Sequence, residues 1–71
     1  MNKDIFLLTL NSNSIDNNLL IQLKSIFEQN PGKFKVNLKI FDNNNSYKLI
    51  ELKEIQVDIN LNLMLSLINI I

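Results

Sequence analysis

The chain has 71 residues with seven lysines balancing seven acids, so its formal net charge is zero. One domain is the upper bound on that length, and a neutral chain lacks the long-range field of a strong non-specific nucleic-acid binder. It contains no cysteine, no histidine and a single glycine. That composition excludes disulfides, zinc sites, thiol or imidazole catalysis and Gly-rich phosphate loops.

Residues 4–10, DIFLLTL, read as a strand. Both of its faces are apolar, so it is expected to be central or covered on both sides. Residues 11–14 form a polar link, in which Ser14 is a loop residue or an alternative helix cap. An amphipathic helix follows. Asp16 stands at the N-cap, where its carboxylate can accept from first-turn N–H groups and meet the positive end of the helix dipole. Ile15 and Leu20 have hydrophobic-staple spacing. Leu19, Leu20, Leu23, Ile26 and Phe27 mark one buried face. Asn30, Pro31 and Gly32 end the helix, with Gly32 expected to supply the positive φ of a helix exit.

From residue 33 to 41 the pattern changes to period 2. Phe34, Val36, Leu38 and Ile40 alternate with Lys33, Lys35, Asn37 and Lys39, giving one dry face and one wet face. Residues 42–46, DNNNS, are a hairpin loop, and residues 47–52 are the antiparallel return strand. Tyr47, Leu49 and Glu51 face one way there, and Lys48, Ile50 and Leu52 the other. Leu52, Ile55 and Val57 carry the chain through a bend into a short further strand.

The last segment gives conflicting signals. Alternation from Ile55 to Leu67 suits a strand, but that strand would exceed the usual length of about 3–10 residues. Its later apolar members are leucine and methionine, which favour helix. The preferred reading is strand to about Val57, then a helix capped by Asn60 with Leu63, Met64, Leu67, Ile68 and Ile71 on one face. The order is β-α-β-β-(β)-α. It implies a single small α+β domain over residues 1–71: a two-layer sandwich with a small, mostly antiparallel sheet and two helices on one face. A parallel pairing of the first two strands would need a right-handed crossover.

No nucleophile–base pair can be assembled at Ser12, Ser14, Ser25, Ser46 or Ser66. The seven carboxylates are scattered, and neither a catalytic residue, a metal site, a cofactor nor a small-molecule substrate is expected. The candidate contact surface is a basic stripe of Lys33, Lys35 and Lys39, extended by Lys48 across the hairpin. With Tyr47 it could take single-stranded nucleic acid, backbone on lysine and base on aromatic; the alternative is a solvated sheet face. Ile21, Ile70 and Ile71 lack an obvious core role and are candidates for docking a protein partner. The apolar runs are too short to span a bilayer, and residues 1–3 with one lysine make no targeting signal, so a cytoplasmic chain is expected. More than half of the residues are asparagine, isoleucine or leucine, and arginine and alanine are absent. Such usage fits an AT-biased genome, so the asparagines carry no collective role.

The runs DNNLLIQLK (16–24), IFEQNPG (26–32) and VNLKI (36–40) are followed by Ile40-Phe41-Asp42, Val57-Asp58-Ile59-Asn60 and Leu63-Met64-x-x-Leu67. In that order the chain resembles the C-terminal domain of the α subunit of bacterial DNA polymerase III, DnaE type, from about Ile5 to Ile68. The resemblance implies a non-catalytic tail of a DNA-directed DNA polymerase subunit, since the family's catalytic carboxylates lie in another domain and nothing here matches them. It implies docking in DNA replication, with the τ subunit of the clamp loader or the remainder of the polymerase α chain as partner. Weak contact with single-stranded DNA is a further expectation. The chain departs from the family by starting at Met1 with this tail alone and stopping at Ile71 before the family's last strand. On that reading it is a split or remnant reading frame or an excised piece, with one sheet edge uncovered.

Overall fold

The computed structural model describes residues 4–71; the reading of residues 1–3 lies outside them. In chain order the elements are β1 (Ile5–Asn11), a 3-10 turn (Ser12–Ser14), α1 (Asn17–Gln29), β2 (Pro31–Phe41), β3 (Tyr47–Val57) and α2 (Leu61–Ile70). The strands form one sheet in the order β1-β2-β3. β1 runs parallel to β2, and β3 runs antiparallel to it, so the sheet is mixed. The fold is α+β, as the periodicity implies, with the last segment helical.

The local chemistry explains each boundary. Asp16 is extended, and its carboxylate accepts from the Leu19 N–H at 2.8 Å, opening α1. Asn60 does the same for α2 with the Leu63 N–H at 2.8 Å. The hairpin loop is folded around Asp42, whose side chain accepts from the N–H groups of Asn44 and Ser46. Asn45 takes the left-handed conformation at φ 62°, which asparagine tolerates better than most residues.

Register decides which side chains meet. Phe6 lies beside Val36 and Leu8 beside Leu38. Across the hairpin Val36 lies beside Leu52 and Leu38 beside Ile50. This face receives both helices. Leu8, Leu10, Val36, Leu38 and Val57 from the sheet form one cluster with Leu19, Leu23, Ile26 and Phe27 of α1 and Leu63 and Leu67 of α2. Phe27, Leu63, Val36 and Val57 are its largest fully enclosed side chains.

Four expectations are corrected. β1 is an edge strand, not a central one, and Leu7 on its outer side is 50% exposed. Its double-sided apolar character therefore leaves aliphatic surface in water. The further strand after the bend is continuous with β3, but the ladder slips there. Val36 pairs with Leu52 while Lys35 pairs with Gln56, leaving residues 53–55 looped out of register. The face of α2 is also turned. Leu63 and Leu67 are buried and Ile70 packs on the core, whereas Met64, Ile68 and Ile71 are exposed. The Asn62 amide, which donates to the Asn30 side chain at the end of α1, accompanies this rotation.

Gly32 is the fourth. It has no positive φ, and it lies in β2. A Cβ built there would meet the backbone of Asp58 at 2.4 Å and the Val57 carbonyl carbon at 2.6 Å. Glycine is therefore required by close approach of two backbone segments. The helix itself ends at Asn30, whose N–H donates to the Phe27 carbonyl at 3.2 Å.

Leu63→Ala should lower stability in urea unfolding by about 2–5 kcal/mol, because it empties an enclosed site. Ile68→Ala on the same helix should change it by less than about 1 kcal/mol, since exposed substitutions cost little. Gly32→Ala should destabilise by roughly 1–3 kcal/mol, as the added methyl group must push backbone aside.

Candidate nucleic-acid and partner-docking surfaces

The face of the sheet away from the helices carries the basic stripe. Register sets Leu7 beside Asn37 and Glu51, and Thr9 beside Lys39 and Leu49. Phe41 is flanked by Asn11 and Tyr47. At this end of the sheet the aromatic pair is direct, with ring centroids 5.6 Å apart and planes tilted by 57°. The Lys39 ammonium lies 4.4 Å from the Tyr47 ring centroid and 5.2 Å from that of Phe41. A cation over the negative face of an aromatic ring is attracted by its quadrupole. Lys39 is therefore half-buried and held over Tyr47, which itself is 57% exposed.

The structure brings together only part of the expected site. Lys39 and Tyr47 meet, and Phe41 joins them. Lys35 is on the same face, four residues back along β2, which is roughly 13 Å at strand rise. Lys33 sits in the irregular start of β2, between the Pro31 and Phe34 pairings. It is some 25 Å from the aromatic end by the same rise. Lys48 pairs beside Ile40, whose side chain packs on the core, so its position belongs to the helix-side face and not to the stripe. Glu51 stands on the open face beside Asn37 and offsets the positive charge of Lys35 and Lys39. A base stacking on Tyr47 would have to use the ring face that Lys39 leaves free, or displace Lys39 into solution to meet phosphate.

The docking residues divide as well. Ile21 is 67% exposed on α1 and Ile71 is open at the chain end, but Ile70 packs against the core and is not free to dock. Leu61 and Leu65 on α2 were not singled out by sequence and are 72% and 52% exposed. With Ile68 they follow the i, i+4, i+7 spacing that lines one helical side. Helical periodicity from Leu61 to Ile68 would have shown them, once the segment was read as helix alone.

The other residue that sequence reasoning missed is Asn30. It is 4% exposed, and it is the buried polar residue among the described ones. Its amide donates to the Ile26 carbonyl at 2.9 Å and accepts from the Asn62 amide at 3.0 Å. Its backbone carbonyl accepts from the Asp58 N–H at 2.8 Å. Its position before a proline at a helix end was the available signal.

Among the described residues no group of three acidic side chains is placed to hold a metal ion, and no helix is long and apolar enough to cross a membrane. Comparison of the chain with protein-family models, characterised proteins and solved structures finds no match in any of the three.

If Lys39 is bound to the aromatic pair, Lys39→Met and Tyr47→Leu should each lower stability by about 0.5–1 kcal/mol. A double-mutant cycle should show the two losses to be non-additive, because the residues touch.

Proposed function

We propose that the chain is a non-catalytic docking module of the bacterial replication machinery. Its likeness is to the C-terminal domain of the polymerase III α subunit, acting in the cytoplasm. A clamp-loader subunit or the remainder of a polymerase α chain is its partner. The observation that supports docking is the outer side of the helical layer. Ile21 on α1 and Leu61, Leu65 and Ile68 on α2 are aliphatic and half or more exposed, where a solvated helix would carry charge. Covering such aliphatic surface with a partner removes it from water, which is favourable in proportion to the apolar area buried. The order of strands and helices, with caps at Asp16 and Asn60, agrees with the fold that the resemblance implies.

A second reading has its own support in the Lys39–Phe41–Tyr47 cluster on the open sheet face. There the chain would be a small single-stranded nucleic-acid binder, with Lys33 and Lys35 contacting phosphate. A degenerate domain without retained activity is the third reading.

Immobilised chain should retain purified clamp-loader τ subunit or a polymerase α chain lacking its tail, and Ile21→Lys together with Leu65→Lys should abolish retention. Recovery of neither protein overturns the docking proposal. Fluorescence anisotropy with a labelled oligonucleotide separates the second reading. It requires salt-sensitive binding weakened by Lys35→Glu, whereas the docking reading expects little binding even at low salt.

A further inference from the structure

The two edges of the sheet are treated differently. β3 forms one edge, and it carries Lys48, Glu51, Lys53 and Glu54 and the slip at residues 53–55. Charge and irregularity of this kind prevent a second strand from adding. β1 forms the other edge. Its sequence IFLLTLN has no charge and no proline, and its pairing with β2 runs without a break from Ile5 to Asn11. Nothing among the described residues pairs with its outer edge. A row of backbone donors and acceptors is left there for another strand.

Beside this edge runs an apolar groove lined by Phe6, Leu7, Leu8, Met64, Ile68 and Ile71. The turn of α2 accounts for it. Asn62 points toward α1, where it meets Asn30, and Met64 and Ile71 lie on the opposite flank, toward β1. α2 has no charged residue at any of its ten positions.

An occupant must therefore offer an extended, uncharged strand with an apolar helix flank beside it. A second copy of this chain presents that surface. In a two-fold contact each patch meets itself, so a charged patch would repel its twin; β1 and α2 carry no charge to do so. The chain's net charge of zero adds no long-range repulsion between copies. We propose that two copies associate by antiparallel pairing of β1 with its counterpart, joining two three-stranded sheets into one of six. Centred near Leu8, the pairing keeps Phe6, Leu8 and Leu10 on the helix side in both copies, because side chains alternate with period 2. The two α2 helices then close over the junction and bury Met64 and Ile68. This proposal shares Ile68 with the replication reading, whose other docking residues, Ile21, Leu61 and Leu65, do not line the groove beside β1.

Sedimentation equilibrium of the full chain across the micromolar range tests it. A monomer–dimer equilibrium is expected. Met64→Lys and Ile68→Lys, both at exposed positions of α2, should weaken it by at least about tenfold, by placing like charges face to face across the axis. Ile21→Lys should leave it unchanged, and circular dichroism should confirm that each variant is folded. Amide exchange should slow at β1 with rising concentration and stay constant at β3. A folded monomer at every concentration overturns the proposal. So does a dimer insensitive to both α2 substitutions, or one whose added protection falls on the β3 edge.

Discussion

The arrangement depends on one buried asparagine. A small two-layer domain must fix its helices to its sheet at few points, and Asn30 is where three segments meet. Its side chain closes the last turn of α1 on the Ile26 carbonyl. Its amide oxygen receives the first turn of α2 through Asn62. Its backbone carbonyl receives Asp58, the residue that follows β3. All four of its polar groups are therefore paired, which is the condition under which a buried amide is stable and specifies one geometry. Removing the side chain would leave the Ile26 carbonyl and the Asn62 amide without it.

That junction sets the working surfaces. Asp58 is drawn to Asn30, and this brings the backbone of Val57 and Asp58 onto Gly32, where no side chain fits. The same closure fixes where α2 starts, and Asn60 caps it there. With Asn62 turned toward α1, the flank with Met64 and Ile71 falls beside β1, and Leu61 and Leu65 face outward. The exposed apolar surface of the helical layer is thus a consequence of rotation about α2, fixed by a polar contact. The opposite sheet face is set separately, by strand register. It gathers Lys39, Phe41 and Tyr47 at the hairpin end and leaves Lys33 remote.

Much of the fold was legible because its signals are local. The Asp16 cap, the apolar stripe of α1, the Phe34 to Ile40 alternation and the DNNNS loop each specify their own element. The helix of the last segment could be chosen over a strand by side-chain type. What was not legible depended on tertiary contacts. No local pattern tells that β1 lies at the edge, since an apolar run suits either position. The rotation of α2 follows from Asn62 meeting a residue 32 positions away. The role of Gly32 follows from the return of the chain at Asp58, and the helix-exit motif suggested a different reason for the same residue. Of the candidate site, Lys39 and Tyr47 could be paired by a hairpin register argument, but Lys48 was assigned to the wrong face. In a chain so rich in asparagine, Asn30 could not be distinguished by composition from the exposed ones.

A double-mutant cycle between Asn30→Ala and Asn62→Ala, read by urea unfolding, tests the central role of this junction most directly. Asn30→Ala should lower stability by about 1–3 kcal/mol, as expected when buried polar groups lose their partner. Asn62→Ala should cost less, and its effect should largely vanish in the Asn30→Ala background. Loss of stability below about 0.5 kcal/mol for Asn30→Ala, or strict additivity of the two substitutions, would contradict the account.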